Sequence, residues 1–291
     1  MQRLRQAIDR RVADLTGRRQ SPIDYLTPAG DPGLFGPDSA VWRVHGDFTS
    51  MLCGGIGALL LQMLHPAALA GVWDHSSFRS DMLGRLRRTS QFIAVTTYAG
   101  QAEAETAIAR VRSIHSRVSG STADGTPYQA DDPELLTWVH VAEMSRFLAG
   151  YLRFVDPHYA QAEQDRYYRE SARIAHALGA TQVPQSVSEI NDYLQEMRPS
   201  LRCDERTREV TRLLLAAGPK DALGRRATRL FMRAGIGLLP DWAIHQLGLY
   251  KHKRYPGVTR GSIQIVAPII RHSVTGTACE KAHQRVGAAY R

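Results

Sequence analysis

The stretch RLRRTSQFIAVTTYAGQAEAETAIARVRSIHSRV, residues 85–118, decides the fold class. It opens with the basic run Arg85-Leu86-Arg87-Arg88-Thr89 and continues as an apolar helix through Phe92, Ile93 and Val95. After Gly100 a second helix is predicted. Ile108, Val111, His115 and Val118 recur at spacings of three, four and three, one stripe of an amphipathic helix. Glu103, Glu105, Arg110 and Arg112 take the other side. A histidine inside an apolar stripe needs a partner for its ring nitrogens, because burial without one costs roughly 2–7 kcal/mol. A backbone carbonyl or a side chain is the commoner partner for a lone histidine. Iron is the other, since imidazole is its usual protein ligand.

Upstream, Asp47 is expected to cap a helix from Phe48 to about Leu64, stopped by Pro66. Residues 51–64 are almost wholly apolar but fall short of the roughly 20 residues that span a bilayer. The run therefore reads as a buried core helix and not as a transmembrane segment. Gly54, Gly55 and Gly57 interrupt it, each at about 1 kcal/mol against alanine. Close approach of another helix explains them as well as close approach of a flat ligand. His65 precedes Pro66 and is pushed away from helical geometry. His75 sits in the polar stretch Trp73-Asp74-His75-Ser76-Ser77. Both histidines read either as pocket lining or as capping and loop residues.

Downstream, Ser119 to Asp132 read as a polar turn region, and Asp132-Pro133-Glu134 as a helix start with an N-cap acceptor, an N1 proline and a first-turn acid. That helix runs to about Phe154, with Trp138, Val141, Ser145, Leu148 and Leu152 as its core stripe. Trp138 and His140 point to different sides, so at most one of them shares a site facing that core. Asp156-Pro157 predicts a helix reaching Leu178 and closed by Gly179. Further helices are expected from about Ser188 to Met197, over 204–217 and 220–238, and briefly after Pro240. Residues 1–19 suit a short surface helix, and the proline- and glycine-rich residues 20–40 a lead-in loop. No run of alternating strands and no fixed repeat is present. The expected organisation is an N-terminal helix and lead-in over 1–40, a helical domain over 41–250, and a basic extension over 251–291 packed on it.

Composition narrows the function. With 43% apolar and 22% charged residues the chain is an ordinary globular one. The net charge of +9 is carried by 33 Arg and 4 Lys. The arginines are spread along helix faces without aromatic interleaving, so specific nucleic-acid recognition is not expected and the excess reads as solvated surface. Cys53, Cys203 and Cys279 form no Cys-x-x-Cys or Cys-x-x-Cys-His pattern, which argues against a zinc ribbon, an iron–sulfur centre and covalently attached haem. Their odd number and the lack of a signal peptide predict a cytoplasmic protein. A di-iron Glu-x-x-His pair, a His-Glu-x-x-His zinc site, a Gly-x-Ser-x-Gly elbow and a phosphate loop are all missing. Gly54-Gly55-Ile56-Gly57 lacks the preceding strand of a dinucleotide site.

An ordered set of motifs carries a resemblance. It comprises Leu61-Gln62-Met63-Leu64-His65-Pro66 with Gly71-Val72, then His75-Ser76, Arg85-x-x-Arg88-Thr89, Arg112-x-x-His115-x-x-Val118-x-Gly120 and Gly125-x-x-Tyr128-x-Ala130. Over roughly residues 40–240 the chain resembles the catalytic-domain family of the latex-clearing rubber oxygenases, which also includes fungal oxygenases acting on prenylated aromatic intermediates. The resemblance implies an all-α, single-domain, globin-like core holding haem b through one axial histidine, with O₂ on the opposite face. By motif position that iron ligand is His115. His65, His75 and His140 are further cofactor-binding candidates, and Arg85, Arg88 and Thr89 are the catalytic candidates beside the distal face. The rubber oxygenases have lysine at the position of Arg88, and a flexible ammonium and a planar guanidinium are not interchangeable. Those enzymes are secreted to reach an insoluble polymer. The expected substrate here is instead a small, diffusible, hydrophobic or prenylated molecule oxidised with O₂. Two other classes stay open: a haem sensor or carrier without turnover, and a basic helical nucleic-acid-binding protein.

Overall fold

The computed structural model describes residues 2–18, 21–219, 221–253 and 256–289. In chain order these form α1 (Gln2–Thr16), α2 (Ala40–His45), α3 (Phe48–Gln62), α4 (Pro66–His75), α5 (Met82–Tyr98) and α6 (Gln101–His115). A hairpin follows, β1 (Ser119–Ser121) and β2 (Pro127–Gln129), paired antiparallel with Gly120 opposite Tyr128. Then come α7 (Pro133–Phe154), α8 (Gln161–Leu178), α9 (Val187–Met197), α10 (Glu205–Ala216), α11 (Ala222–Ile236), α12 (Asp241–Gln246), α13 (Pro256–Ser273) and α14 (Ala278–Arg285). The fold is all-α. Met1, Arg19, Lys220 and Arg291, which bound several expected segments, lie outside the described residues.

Local chemistry starts the central helices. Asp47 accepts the Ser50 N–H at 2.7 Å to open α3, and Asp132 accepts those of Glu134 and Leu135 to open α7. The two helices run antiparallel, with Ser50 opposite Gly150, Gly54 opposite Arg146 and Phe147, and Gln62 opposite Val139. Glycine sets their separation. A Cβ on Gly150 would lie 2.6 Å from the Ser50 carbonyl oxygen, and one on Gly54 would lie 2.8 Å from that of Arg146. Helix α11 closes on α3 in the same way, since a Cβ on Gly235 would meet Ile56 at 2.6 Å and one on Gly57 the Gly235 carbonyl oxygen at 3.1 Å. Gly55 differs, with nothing nearer than the Phe147 ring at 3.8 Å. The main core of Leu60, Leu61, Leu64, Trp138, Val141, Leu148, Tyr167 and Ile236 grows from this contact.

Several expectations change. Helix α3 already stops at Gln62, and Pro66 instead starts α4, with His65 at its N-cap. Helix α5 begins at Met82, capped by Asp81, so the Arg85 run lies in its second turn. Val118 falls beyond α6, which stops at His115. The region expected as turns contains the hairpin, closed by Thr122 and Asp124 around Gly125 at φ +87°. Asp156-Pro157 forms a turn, in which Asp156 accepts the His158 N–H at 3.0 Å, and α8 starts at Gln161. Trp138 and His140 are both buried, because α7 is enclosed almost all round instead of along one stripe.

No single helix among the described residues is long and apolar enough to cross a membrane. The pair α3 and α4 has the required length and composition but bends by 103°. Near the chain's end, the buried Arg285 guanidinium donates to the carbonyls of Tyr25, Asp31, Tyr98 and Ala99, tying the lead-in and the end of α5 to α14.

The glycine contacts yield a graded prediction. Gly150→Ala and Gly54→Ala should each cost about 1–3 kcal/mol by overpacking. Gly55→Ala should be neutral or stabilising by up to about 1 kcal/mol, from helix propensity. Urea denaturation of the three variants checks the order, and an equal loss in all three would show that Gly55 is also a packing glycine.

Candidate functional site

Helix α5 carries the basic run past an unusual neighbourhood. It packs on α6, α1, α2 and α14 and does not run closely along either α3 or α7. Leu59 of α3, Met82, Leu86 and Ile93 of α5 and Val139 of α7 border the main core yet remain partly exposed. Gly55, uncrowded by protein, is partly exposed on the same helix as Leu59.

The basic run divides. Arg85 is partly buried and donates to Ser76 Oγ at 3.1 Å. Burial chiefly lowers its pKa, with Arg88 adding to that effect and Glu143 opposing it. Arg88 is exposed, 3.3 Å from Ser77 Oγ and 3.8 Å from the Asp81 carboxylate. Arg87 donates to the Asp14 carbonyl oxygen of α1 at 2.6 Å, and Thr89 turns its hydroxyl back to the Arg85 carbonyl at 3.3 Å. Arg85 and Arg88 thus share a spacing but not an environment.

Across from Arg85 lies a residue the sequence reading passed over. Glu143 of α7 is partly buried. Burial pushes its pKa up to about 7, against the lowering effects of Gln62 and of Arg85. Glu143 and Arg85 act on each other electrostatically but form no ion pair, so their charged ends stand apart. Gln62 donates to the Val139 carbonyl oxygen at 3.4 Å, and the Trp138 indole N–H donates to the Gln62 carbonyl at 3.3 Å, fixing this end of α3 against α7. The available signal was a single acid inside the apolar run Leu135 to Leu152.

The four candidate histidines differ sharply. His115 ends α6 with its Nδ1 buried and unpartnered. Burial lowers its pKa, and Asp131 raises it by less. His65 also has a buried, unpartnered Nδ1, with its ring 5.9 Å from that of Trp138. Burial lowers its pKa against the opposing effect of Asp132. Both rings therefore sense the carboxylates just ahead of α7. Exposed His75 lies with Nε2 3.1 Å from the Ser119 carbonyl oxygen, which ties α4 to the hairpin. His140 is buried and held neutral, its pKa lowered to about 3 by burial and then by His176. A fifth, His45, was not anticipated. It sits between Thr97 Oγ1 and the Tyr167 hydroxyl, each at 3.0 Å, and burial followed by His140 lowers its pKa to about 3. No hydrogen bond joins His115 to Arg85, Arg88 or Thr89 among the described residues. A separate cleft of about 750 Å³ near Trp42, Arg43, Tyr151 and His283 contains none of the expected site residues.

Comparison with known protein families gives a match. Residues 42–268 fit the model described as "ER-bound oxygenase mpaB/B'/Rubber oxygenase, catalytic domain". The chain belongs to this family. No curated protein and no solved structure matches it. The match covers α2 to most of α13 and includes every candidate residue named above. Membership supports an oxidoreductase of the oxygenase type, and the family implies O₂ and a substrate.

The rubber oxygenase family is haem-dependent in general, and the residues present fit such a group. Among the described residues no three His, Cys, Asp or Glu side chains gather as a metal cage. A haem brings four nitrogens of its own and needs the chain chiefly for an axial ligand. An unpartnered buried ring nitrogen, costing about 1–3 kcal/mol if left so, is what the protein has at His115 and also at His65.

Glu143 gives a pH signature that needs no cofactor. Between its ordinary value of 4.5 and about 7, the unfolded chain releases this proton while the folded chain keeps it, so its contribution to stability falls as pH rises. His45 and His140 act in the opposite sense between about 3 and 6.5, where the unfolded chain binds the extra protons. The difference between wild type and Glu143→Gln isolates the acid. The variant should gain about 3 kcal/mol relative to wild type across the window from 4.5 to 7. A pH-independent difference would show an ordinary, hydrated carboxyl.

Proposed function

We propose that the chain is a haem-b-dependent oxygenase that uses O₂ to oxidise a small apolar or prenylated molecule in a globin-like core. The observation that carries this reading is the family match over residues 42–268 together with the unpartnered buried Nδ1 of His115. His115 would hold the iron, and bound haem would supply the redox centre at which O₂ is activated. Leu59, Leu86, Ile93 and Val139 would receive the apolar substrate and exclude water, which strengthens every charge interaction around them. Arg85, poorly solvated and unpaired with Glu143, would bind a haem carboxylate or steady negative charge developing on oxygen. Glu143, titrating near neutrality, would keep or release a proton at its carboxyl as the substrate changes. Arg88 keeps its surface partners, and Thr89 stiffens the helix turn that presents Arg85.

Haem reconstitution tests the reading. Wild type should develop a Soret band, and His115→Ala should lose it or shift it sharply while remaining helical by circular dichroism. An unchanged spectrum in that variant would move the ligand to His65, His75 or His140, and a wild type that takes up no haem would end the oxygenase reading. Substrate-dependent O₂ uptake then separates an enzyme from a sensor. Arg85→Ala should slow turnover about 10²-fold, the scale of losing a donor aimed at developing charge, about 2.7 kcal/mol. If Arg85 serves a propionate, haem content falls instead. Arg88→Ala should do neither.

A further inference from the structure

The net charge is not spread evenly after all. Residues 222–291 hold twelve of the 37 Lys and Arg but two of the 28 Asp and Glu, a net charge of +10, whereas residues 1–221 come to −1. The same segment builds α11, α12, α13 and α14.

Helix α13 has two apolar faces. Its inner one, Ile263, Ala267 and Ile270, is buried between the Val12 side of α1 and Ala234 and Leu238 of α11. Its outer one consists of Val258, Ile265 and Ile269, which are 69%, 70% and 48% exposed. At 3.6 residues per turn these three fall within about 40° of one another, and Gly261 and Ser262 lie between them. Large apolar side chains aligned along one outward stripe are unlike the scattered exposed leucines of any soluble surface. Leu223, at the start of neighbouring α11, is 66% exposed, and Tyr250, in the turn ahead of α13, is exposed as well.

Exposed cations line two helices that pack on α13. On α11, Arg226, Arg229 and Arg233 are exposed and form no ion pair among the described residues. On α1, which packs along α13, Arg3, Arg5 and Arg10 are exposed, and Arg5 donates to the His272 carbonyl oxygen at the end of α13. An apolar stripe bordered by arginine is what an interfacial helix presents to lipid, with the chains taking the apolar residues and anionic headgroups the cations.

We infer that the α13 face, flanked by α1 and α11, is a docking surface for an anionic phospholipid bilayer, on which the protein sits without spanning it. Charge complementarity selects lipid over a second copy of the chain, because a twofold contact through this face would set its arginines against one another. Spaced isoleucines at the centre of the face argue against nucleic acid, whose phosphates offer them nothing. The inference is independent of the haem reading, because it rests on residues outside the candidate site.

Vesicle co-sedimentation of the full-length protein tests it. The protein should bind vesicles of phosphatidylcholine mixed with phosphatidylglycerol, bind phosphatidylcholine alone at least about tenfold more weakly, and dissociate as salt screens the charges. Ile265→Asp with Ile269→Asp should weaken binding at least about tenfold, as should Arg226→Glu with Arg229→Glu. Ile265→Ser guards against misfolding, and circular dichroism and Tm should match wild type. Full binding by the isoleucine variant would reduce the effect to charge adsorption and overturn the proposal. So would failure to bind either vesicle, a dimer in sedimentation that Ile265→Ser dissolves, or tighter retention on duplex DNA than on anionic vesicles.

Discussion

The backbone contact between α3 and α7 is the constraint on which the remaining architecture depends. Glycine at 54 and 150 lets two helices meet at a separation that any side chain would prevent, and dense interdigitation on either side follows from that approach. The helix-propensity cost of the glycines in α3, roughly 1 kcal/mol each, is offset by contacts available at no other spacing. Helix α11 uses the same device at Gly57 and Gly235. Two faces of α3 are therefore committed to protein. The third, with Gly55 and Leu59, stays partly exposed.

Helix α5 is held by other means. Arg87 fastens it to α1, the Trp42 indole N–H donates to the Thr97 carbonyl oxygen at 2.7 Å, and Arg285 gathers the carbonyls at its end. A buried guanidinium shared among four carbonyl oxygens is well satisfied without a carboxylate, and cations are favoured at a helix C-terminus. Because these anchors draw α5 outward onto α1, α2 and α14, it is not obliged to collapse on α3 and α7. The half-exposed apolar residues and the separated Arg85 and Glu143 are the consequence.

Much of this was legible in the chain wherever the determinant was local. Asp47 and Asp132 announce their helices because a side-chain acceptor two or three residues ahead of orphan N–H groups is a short-range device. Pro157 misled for the same reason. The dipeptide matches a helix start, but Asp156 spends its oxygen on a turn. The hairpin escaped notice because strands of three mostly polar residues show no useful alternation. Spacing placed Arg85 and Arg88 near one another on α5, yet only the arrangement of neighbouring helices decides which one is buried. Glu143 looked like an ordinary polar position until α7 proved to be enclosed nearly all round. The charge asymmetry lay in the sequence from the start, and a single net value of +9 concealed it.

The candidate site illustrates how a core can carry groups that do not favour folding. His65 and His115 keep buried ring nitrogens without partners, and Glu143 and Arg85 are each desolvated without the ion pair that would compensate them. Had stability alone shaped this region, an apolar residue at 143 would have cost less than a carboxylate. Burial of the same kind at His45 is answered on both ring nitrogens by Thr97 and Tyr167. The contrast matters. Where α2, α5 and α8 meet, the polar atoms are satisfied internally and the histidine is structural. Near the start of α7, His65 and His115 each keep a ring nitrogen without a partner. A buried polar atom without a partner is a group that a ligand can complete, and His115, which the resemblance singles out, carries one such atom.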